Sequence, residues 1–259
     1  TQDIEAPANA EIVIEGYVDL SERRLEGPFG DHTGFYTPPD YFPVFHVTAI
    51  THKRGAIYPA TVVGKPPMED YWMGKATERL FLPLLQLFQG EIADFDMPAE
   101  GVFHNLIVAG LAPRYPGHAQ KVMYGIWSIG LMMLAKAVII VDAEVNVHDP
   151  AAVTDAVLAY VDWRRDITLV DGPVDQLDHS AIQDSYGGKI GVDATRKPDR
   201  APAPAPAPLP TEALAALLGE RWHSPRAGLL LVGVDKTERP VRETFEAIWG
   251  IAPEVSIVA

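Results

Sequence analysis

Two carboxylates stand five residues apart in Leu25-Glu-Gly-Pro-Phe-Gly-Asp-His-Thr-Gly-Phe-Tyr36. Gly27, Pro28 and Gly30 separate Glu26 from Asp31, and no regular element runs through such a stretch. A backbone bent in this way can turn both acids toward one cavity, with Phe29, Phe35 and Tyr36 as apolar walls. Two neighbouring carboxylates in an apolar setting do not both ionise easily, so one proton is retained near neutral pH and a general acid results. An ordinary acidic turn with aromatic anchors would use the same residues, and their types and spacing leave both readings open.

Other chemistries find no matching residues. Without cysteine there is no disulfide framework, zinc ribbon, iron–sulfur cluster or thiol nucleophile. The eight histidines (His32, His46, His52, His104, His118, His148, His179, His223) lack the i, i+4 pairing of a zincin, and no metal-ligand set is read from this chain. Neither phosphate-binding glycine signature, G-x-x-x-x-G-K-[ST] or G-x-G-x-x-G, is present, and Tyr186-Gly-Gly-Lys-Ile-Gly191 is a weak substitute. Gly125-Ile-Trp-Ser-Ile-Gly130 has one residue too many for a serine nucleophile elbow and lies in an apolar helical stretch.

The 259 residues are 47% apolar and 22% charged, enough for one large domain or two small ones with a core, and this excludes wholesale disorder. The 21 basic and 35 acidic side chains leave a formal charge of −14, which disfavours a nonspecific grip on nucleic acid or an anionic membrane and suits small-molecule chemistry. The densest apolar run, Gly125 to Ala135, is about half of the ~20 residues a membrane helix needs, and Lys136 closes it. Thr1-Gln-Asp-Ile-Glu has no initiator Met, basic region or apolar signal core; it reads like the middle of a protein, with the cytoplasm as the expected location.

Elements must hold these residues. Glu11–Val18, Val44–Thr51 and Ile57–Val63 are rich in β-branched residues and predict strands, with a shaped loop over Glu26–Asp40. From Pro67 the period becomes helical through Trp72, Ala76, Leu80 and Leu84, with Pro83 expected to break or kink the run and Gly90 to end it. Strands follow at Glu91–Met97 and Val102–Ala109, a helix at Gly117–Leu134, a strand at Ala137–Asp142, a helix at Ala151–Val161 opened by Pro150, and a strand at Ile167–Val170. This alternation implies right-handed crossovers onto one sheet. Arg200–Pro210, with Pro at alternate positions, favours a polyproline II spacer of roughly 30 Å at ~3.1 Å per residue. Beyond it Thr211 is expected to cap a helix (TEALAALLGERW), followed by a strand at Gly228–Val234 and a helix at Val241–Trp249. This tail is expected to dock on its own body or on a neighbouring subunit.

EIVIEGYVD, followed by EGPFGDHTGFYTPPDYFPVFHVTAITHKRGAIYPATVVGKPPMEDYWMGKATERLFLPLL, resembles the UbiD family of prenylated-flavin (prFMN) decarboxylases. AEGVFHNLIVA, YPGHAQKVM, AKAVIIVDAEVNVHD and DHSAIQDSYGGKIGVDATRKP extend the resemblance from about Glu5 to Pro198. It implies an α+β chain: the C-terminal part of a prFMN-binding split β-barrel domain over residues 1–65 and an α/β oligomerisation domain over 66–198. A Pro-Ala linker over 199–210 and a helix–strand tail over 211–259 complete it.

The resemblance further implies non-oxidative, reversible decarboxylation, in which an acid protonates the carbon that carbon dioxide leaves. It places the proton donor on Asp31, its network partner on Glu26, and His32 on the wall of the substrate pocket. Lys136 is similar to a family lysine near the flavin phosphate; a snorkelling end-cap of the VIIVD strand is the other reading. The family's metal ligands, for Mn2+ and K+, and the Arg of its acid network belong to an upstream half with no match here, so the chain is expected to be a C-terminal portion.

ATVVGKPPMEDYWMGKATERL is similar to the branch acting on 4-hydroxybenzoate-type or naphthoate-type aromatic acids, for ubiquinone or menaquinone. The expected partners are such an acid and further copies of the chain in a homo-oligomer, with no nucleic acid, and a lipophilic substrate would bring the protein to a membrane only peripherally. Two alternatives stand beside this reading: a noncatalytic assembly subunit of a split enzyme, and a flavin-binding barrel without chemistry, for which Asp31→Asn would change nothing.

Overall fold

The computed structural model describes residues 3–204, 207–234, 239–253 and 255–258. Strands β1 (Ile12–Glu26) and β2 (Asp40–His52) pair antiparallel from Ile12 opposite His52 to Glu26 opposite Asp40. The register shifts at Glu15/Gly16, where a Cβ on Gly16 would lie 2.2 Å from the His46 carbonyl oxygen, so the close approach requires glycine. Ile14, Tyr17, Val18, Phe42, Phe45, Val47 and Ile50 are all exposed on this ribbon. The third expected strand does not form: residues 56–64 are irregular, and Pro59 inside the run cannot donate to a ladder.

Helix α1 (Glu69–Phe88) continues through Pro83 instead of breaking there. It leads into a five-stranded mixed sheet of order β3-β4-β5-β7-β6, built from β3 (Ile92–Asp96), β4 (Leu106–Leu111), β5 (Ala137–Asp142), β6 (Ile167–Pro173) and β7 (Tyr186–Ala194). The central β4, β5 and β7 are parallel, and the edge strands β3 and β6 are antiparallel to their neighbours. Helix α2 (His118–Ile126) joins β4 to β5, as the alternation predicts; helix α3 (Pro150–Tyr160) instead leads to the antiparallel edge strand β6.

Several expected elements are shorter. The strand foreseen from Val102 starts at Leu106, because a 3₁₀ turn at Ala99–Gly101 and left-handed Val102 (φ 53°) and Phe103 (φ 46°) precede it. The helix foreseen to Leu134 ends at Ile126 and gives way to a 3₁₀ turn at Gly130–Leu134 opened by Gly130 at φ 47°. Strand β7 went unforeseen because its glycines hide its β-propensity. Gly191 is needed there: a Cβ would meet Met123 Sδ at 2.5 Å, where α2 lies on the sheet. Pro150 does open α3, and the Asp149 side chain caps it by accepting from the Ala151 N–H.

The sheet is buried on both faces. Ile107, Ala109, Val138 and Ile140 pack with Leu85 of α1 and with Val122, Met123 and Ile126 of α2. Val108, Val141 and Ala194 pack with Val153 and Val157 of α3.

The tail forms its own small core from Leu214, Leu218, Leu230, Ile248, Ala252 and Val255. It comprises α4 (Thr211–Leu218), β8 (Trp222–Arg226), β9 (Leu229–Val232), α5 (Val241–Ile251) and β10 (Ile257–Val258). Thr211 is not the cap; Pro210 holds that position without a side-chain bond, and α4 ends at Leu218 before Gly219 at φ 65°. The tail docks on its own body: Ile257 packs against the α3-side core, and Arg226 pairs with Asp155. The start of the Pro-Ala stretch lies against the same helix, with the Ala203 N–H donating to the Ala159 carbonyl at 2.7 Å, while residues 205–206 lie outside the described residues. No helix among the described residues is long and apolar enough to cross a membrane.

Lys189, buried in β7, has no carboxylate partner among the described residues; its ammonium donates to the Met133 and Ala135 carbonyls and faces the Trp127 ring at 6.0 Å. Burial pushes its pKa down to about 8. The cost of this charge is therefore fully present below about pH 8 and is relieved as pH rises toward the usual lysine value near 10.5. Thermal unfolding should show the native protein gaining stability relative to Lys189→Met between about pH 7.5 and 10. Parallel profiles would refute a charged, desolvated Lys189.

Candidate functional site

The loop between β1 and β2 folds back on itself as a small hairpin. Thr37 N–H donates to the Phe29 carbonyl at 2.8 Å, Asp31 N–H to Phe35 at 3.0 Å and Gly34 N–H to Asp31 at 3.0 Å. This fold sets the Asp31 carboxylate against the next residue: both the His32 main-chain N–H and His32 Nδ1 lie 2.7 Å from Asp31 Oδ1. On its other side His32 Nε2 is 2.8 Å from His104 Nε2. His104 Nδ1 in turn faces Asp175 Oδ2 at 3.9 Å, and Asp70 Oδ2 lies 4.0 Å from His32 Nδ1. Four separate segments thus converge: the β1–β2 loop, the first turn of α1, the turn before β4 and the loop after β6.

His32, Asp70, His104 and Asp175 line a cavity of about 640 Å³ whose remaining walls are chiefly apolar, including Met73, Phe81, Leu84, Phe88, Phe95, Phe103 and Ile107. Phe103 reaches this wall because Gly74 on α1 leaves room for it; a Cβ there would approach its ring to 3.1 Å. The His32 and Phe103 rings are 5.2 Å apart. Burial, aided by the nearby His32, lowers the pKa of His104 against the opposing pull of Asp175, which favours a neutral imidazole.

Among the described residues no hydrogen bond joins the expected acid pair, Glu26 and Asp31. Glu26 is exposed at the end of β1 opposite Asp40, and its carboxylate makes no hydrogen bond or ion pair among the described residues. Gly27–Gly30 turn the chain after it, so that Asp31 meets His32 instead. His32 does lie on the cavity wall. Lys136, at the entry to β5, donates to Asp178 Oδ2 at 2.5 Å and to Ser180 Oγ at 2.6 Å, so its ammonium clasps the loop between β6 and β7. Sequence reasoning missed Asp70, His104 and Asp175. His104 stood as one singly spaced histidine among eight, and the left-handed backbone of Val102 and Phe103 that aims it leaves no mark in residue type.

A second polar cluster joins Glu78, Asp96 and His148, whose potential ligand atoms lie within 4.8 Å of one another. Lys75 already donates to both carboxylates, and Arg79 pairs with Glu78 at 2.9 Å and with Asp94 at 2.7 Å, so the negative charge there is compensated without an ion. For a flavin the fit is incomplete: no Lys or Arg lines the cavity, and Lys136 is committed to Asp178. The described residues do not on their own make a flavin phosphate site.

Residues 1–66 match the family model of the 3-octaprenyl-4-hydroxybenzoate carboxy-lyase Rift-related domain (UbiD), and residues 71–194 match the C-terminal domain of the same carboxy-lyase. An uncharacterized protein of Archaeoglobus fulgidus is 56% identical over 198 residues, covering 76% of this chain and 41% of that protein. Among solved structures, the UbiD-class enzyme HmfF from Pelotomaculum thermopropionicum in complex with FMN aligns with a TM-score of 0.66 at 30% identity, over 77% of this chain and 44% of HmfF. Vanillic acid decarboxylase of Sedimentibacter hydroxybenzoicus, in an open form, aligns with a TM-score of 0.70 at 25% identity, over 82% and 48% of the two chains. The chain therefore spans less than half the length of each of these proteins.

The Lys136–Asp178 clasp is separable from the cavity. Although burial works the other way, the Lys136 ammonium and the Ser180 hydroxyl and main-chain N–H hold the Asp178 carboxyl below its ordinary range. The clasp thus stabilises the fold above the ordinary aspartate pKa and is lost as pH falls through the depressed value. Lys136→Met should cost about 2 kcal/mol at pH 7 in denaturant unfolding, and the gap should close as pH falls below the ordinary aspartate range. An equal gap at neutral and acid pH would show that the ion pair contributes nothing.

Proposed function

The chain belongs to the UbiD family, and on that premise we propose that it is the proton-donating portion of a carboxy-lyase that removes carbon dioxide from an aromatic acid without net oxidation. The observation that carries this reading is the Asp31–His32 contact beside an otherwise largely apolar cavity. Apolar walls exclude water and accept a planar ring, and about 640 Å³ suits a small-molecule site. Carbon dioxide leaves the substrate carbon, the electron pair stays on that carbon, and Asp31 supplies the proton that fills its place. One proton from solvent is consumed per turnover. Where flavin is bound, it supplies an electron sink for this chemistry; its binding site is assigned to residues outside this chain, together with any Mn2+ or K+.

The finer features belong to the same proposal. The substrate is a 4-hydroxybenzoate-type or naphthoate-type acid on the way to ubiquinone or menaquinone, and the flavin is prFMN. The β1–β2 ribbon is the C-terminal part of a split barrel, its exposed apolar residues covered by the rest of that domain. Glu26, free of partners here, is left for a group on that covering segment. The protein is a cytoplasmic homo-oligomer, associating through the α/β domain. A second reading is a noncatalytic partner subunit of a split enzyme, with the α/β segment and tail serving assembly.

Co-expression with a complementary N-terminal half and prFMN, followed by a screen of hydroxybenzoates and naphthoates for carbon dioxide release, tests both. Turnover should appear, and Asp31→Asn should lower it by about 10² to 10⁴-fold. Unchanged turnover in that variant would remove Asp31 from the chemistry, and no release from either acid class would favour the noncatalytic subunit.

A further inference from the structure

We propose that His104, held by Asp175, is a positioning residue that fixes the tautomer of His32 and thereby keeps Asp31 able to hold its proton. The inference rests on the function proposed for Asp31 and extends it to two residues with no assigned role.

Two ring nitrogens 2.8 Å apart, His32 Nε2 and His104 Nε2, need one hydrogen between them. If His104 supplied it, its Nδ1 would be either a bare lone pair aimed at the Asp175 carboxylate or part of a buried cation. That nitrogen is buried and lies 3.9 Å from Asp175 Oδ2, with the Asn105 side chain as a further polar neighbour of the ring, so a bare lone pair there would face the carboxylate. If His32 supplies the hydrogen, His104 stays neutral, carries its proton on Nδ1 toward Asp175, and accepts at Nε2. Only the second arrangement gives attraction at every contact, and the lowered pKa of His104 agrees with it.

The consequence passes through His32. With Nε2 committed as a donor, neutral His32 presents a bare Nδ1 to Asp31 Oδ1 at 2.7 Å, and the two groups share one transferable proton. It resides either on Asp31, bonded to Nδ1, or on Nδ1, bonded to the carboxylate. The other neutral tautomer of His32 would place a fixed N–H against Asp31 and favour its deprotonated form. Asp70 Oδ2, 4.0 Å from Nδ1, is a further carboxylate beside the shared proton. The charged and titratable groups facing His32 are thus Asp31 on its own loop, Asp70 on α1, His104 before β4 and, across His104, Asp175 after β6. When Asp31 gives up the shared proton to carbon, solvent returns one proton to the pair and the atoms balance.

Nitrogen-15 NMR of histidine-labelled chain tests this without flavin or substrate. At pH 7 His104 should show the Nδ1–H tautomer and His32 a protonated Nε2. His104→Gln, whose side-chain oxygen can still accept from Nε2, should preserve the His32 pattern. His104→Phe should give His32 mixed tautomers and a shifted titration. An Nε2–H tautomer at His104, or a His32 signal unchanged in His104→Phe, overturns the proposal. Should the Phe variant fail to fold, Asp175→Asn serves instead: loss of its charge should release His104 toward the Nε2–H form, and an unchanged His104 tautomer overturns the assignment. In the reconstituted enzyme His104→Phe should lower carbon dioxide release at least about tenfold and shift the pH profile, as a misplaced tautomer does elsewhere, with partial rescue by Gln. Failure of the NMR arm is independent of whether the decarboxylase reading stands, because it requires no turnover.

Discussion

The parallel register of β4, β5 and β7 is the constraint on which the site depends. Leu106 lies opposite Ala137 and Ala137 opposite Ile190, so the segments entering these strands emerge along one edge of the sheet. The Asn105 carbonyl reinforces that edge by accepting from both the Lys136 and Ala137 N–H groups, at 2.9 and 2.8 Å. His104 directly precedes Asn105, Asp175 follows the β6 end that pairs with the start of β7, and Lys136 precedes β5. The polar cluster therefore stands at the N-terminal ends of the parallel strands. Open α/β sheets more often bind their ligands at the carboxyl ends; here the chain preceding the sheet, the β1–β2 loop, reaches over to complete the opposite edge.

Charge follows the same economy of placement. An acidic chain cannot surround two imidazoles with carboxylates indiscriminately without raising their affinity for protons. Asp175 is separated from His32 by the His104 ring, whose proton affinity burial lowers, so its negative charge faces one imidazole and is screened from the other. Three lysines are committed elsewhere: Lys75 to Glu78 and Asp96, Lys136 to Asp178, Lys189 to backbone carbonyls. None of them lines the cavity.

Local pattern made part of this legible. Ala137–Asp142 is apolar, β-branched and bounded by Lys136, and it forms the strand expected of it; Asp149-Pro150 marks a helix start by cap and fixed φ, and α3 begins there. Regular elements announce themselves through period and propensity, which are local. Strand β7 was hidden because Gly187, Gly188 and Gly191 answer to close neighbours and not to strand propensity. In the site, the bend at Gly27–Gly30 could be read from residue types, whereas His32 was singled out only through the family resemblance. The pairing of His32 with His104 joins positions 72 apart in the chain, and Asp175 follows 71 residues later; nothing in the spacing encodes it. Glu26, joined to Asp31 by spacing and by the resemblance, lies exposed at the end of β1 opposite Asp40, a position that strand pairing sets and local spacing does not show.

The β1–β2 ribbon also fixes how the site can move. The loop that carries Asp31 is tied to the ribbon at both ends, with Glu26 opposite Asp40, and is closed within itself by Phe29 and Thr37. His104 and Asp175 belong instead to segments that enter and leave strands of the mixed sheet. A shift of ribbon against sheet would therefore carry Asp31 and His32 together and leave His104 and Asp175 behind, so the contact between the two imidazoles is a gauge of how ribbon and sheet are aligned.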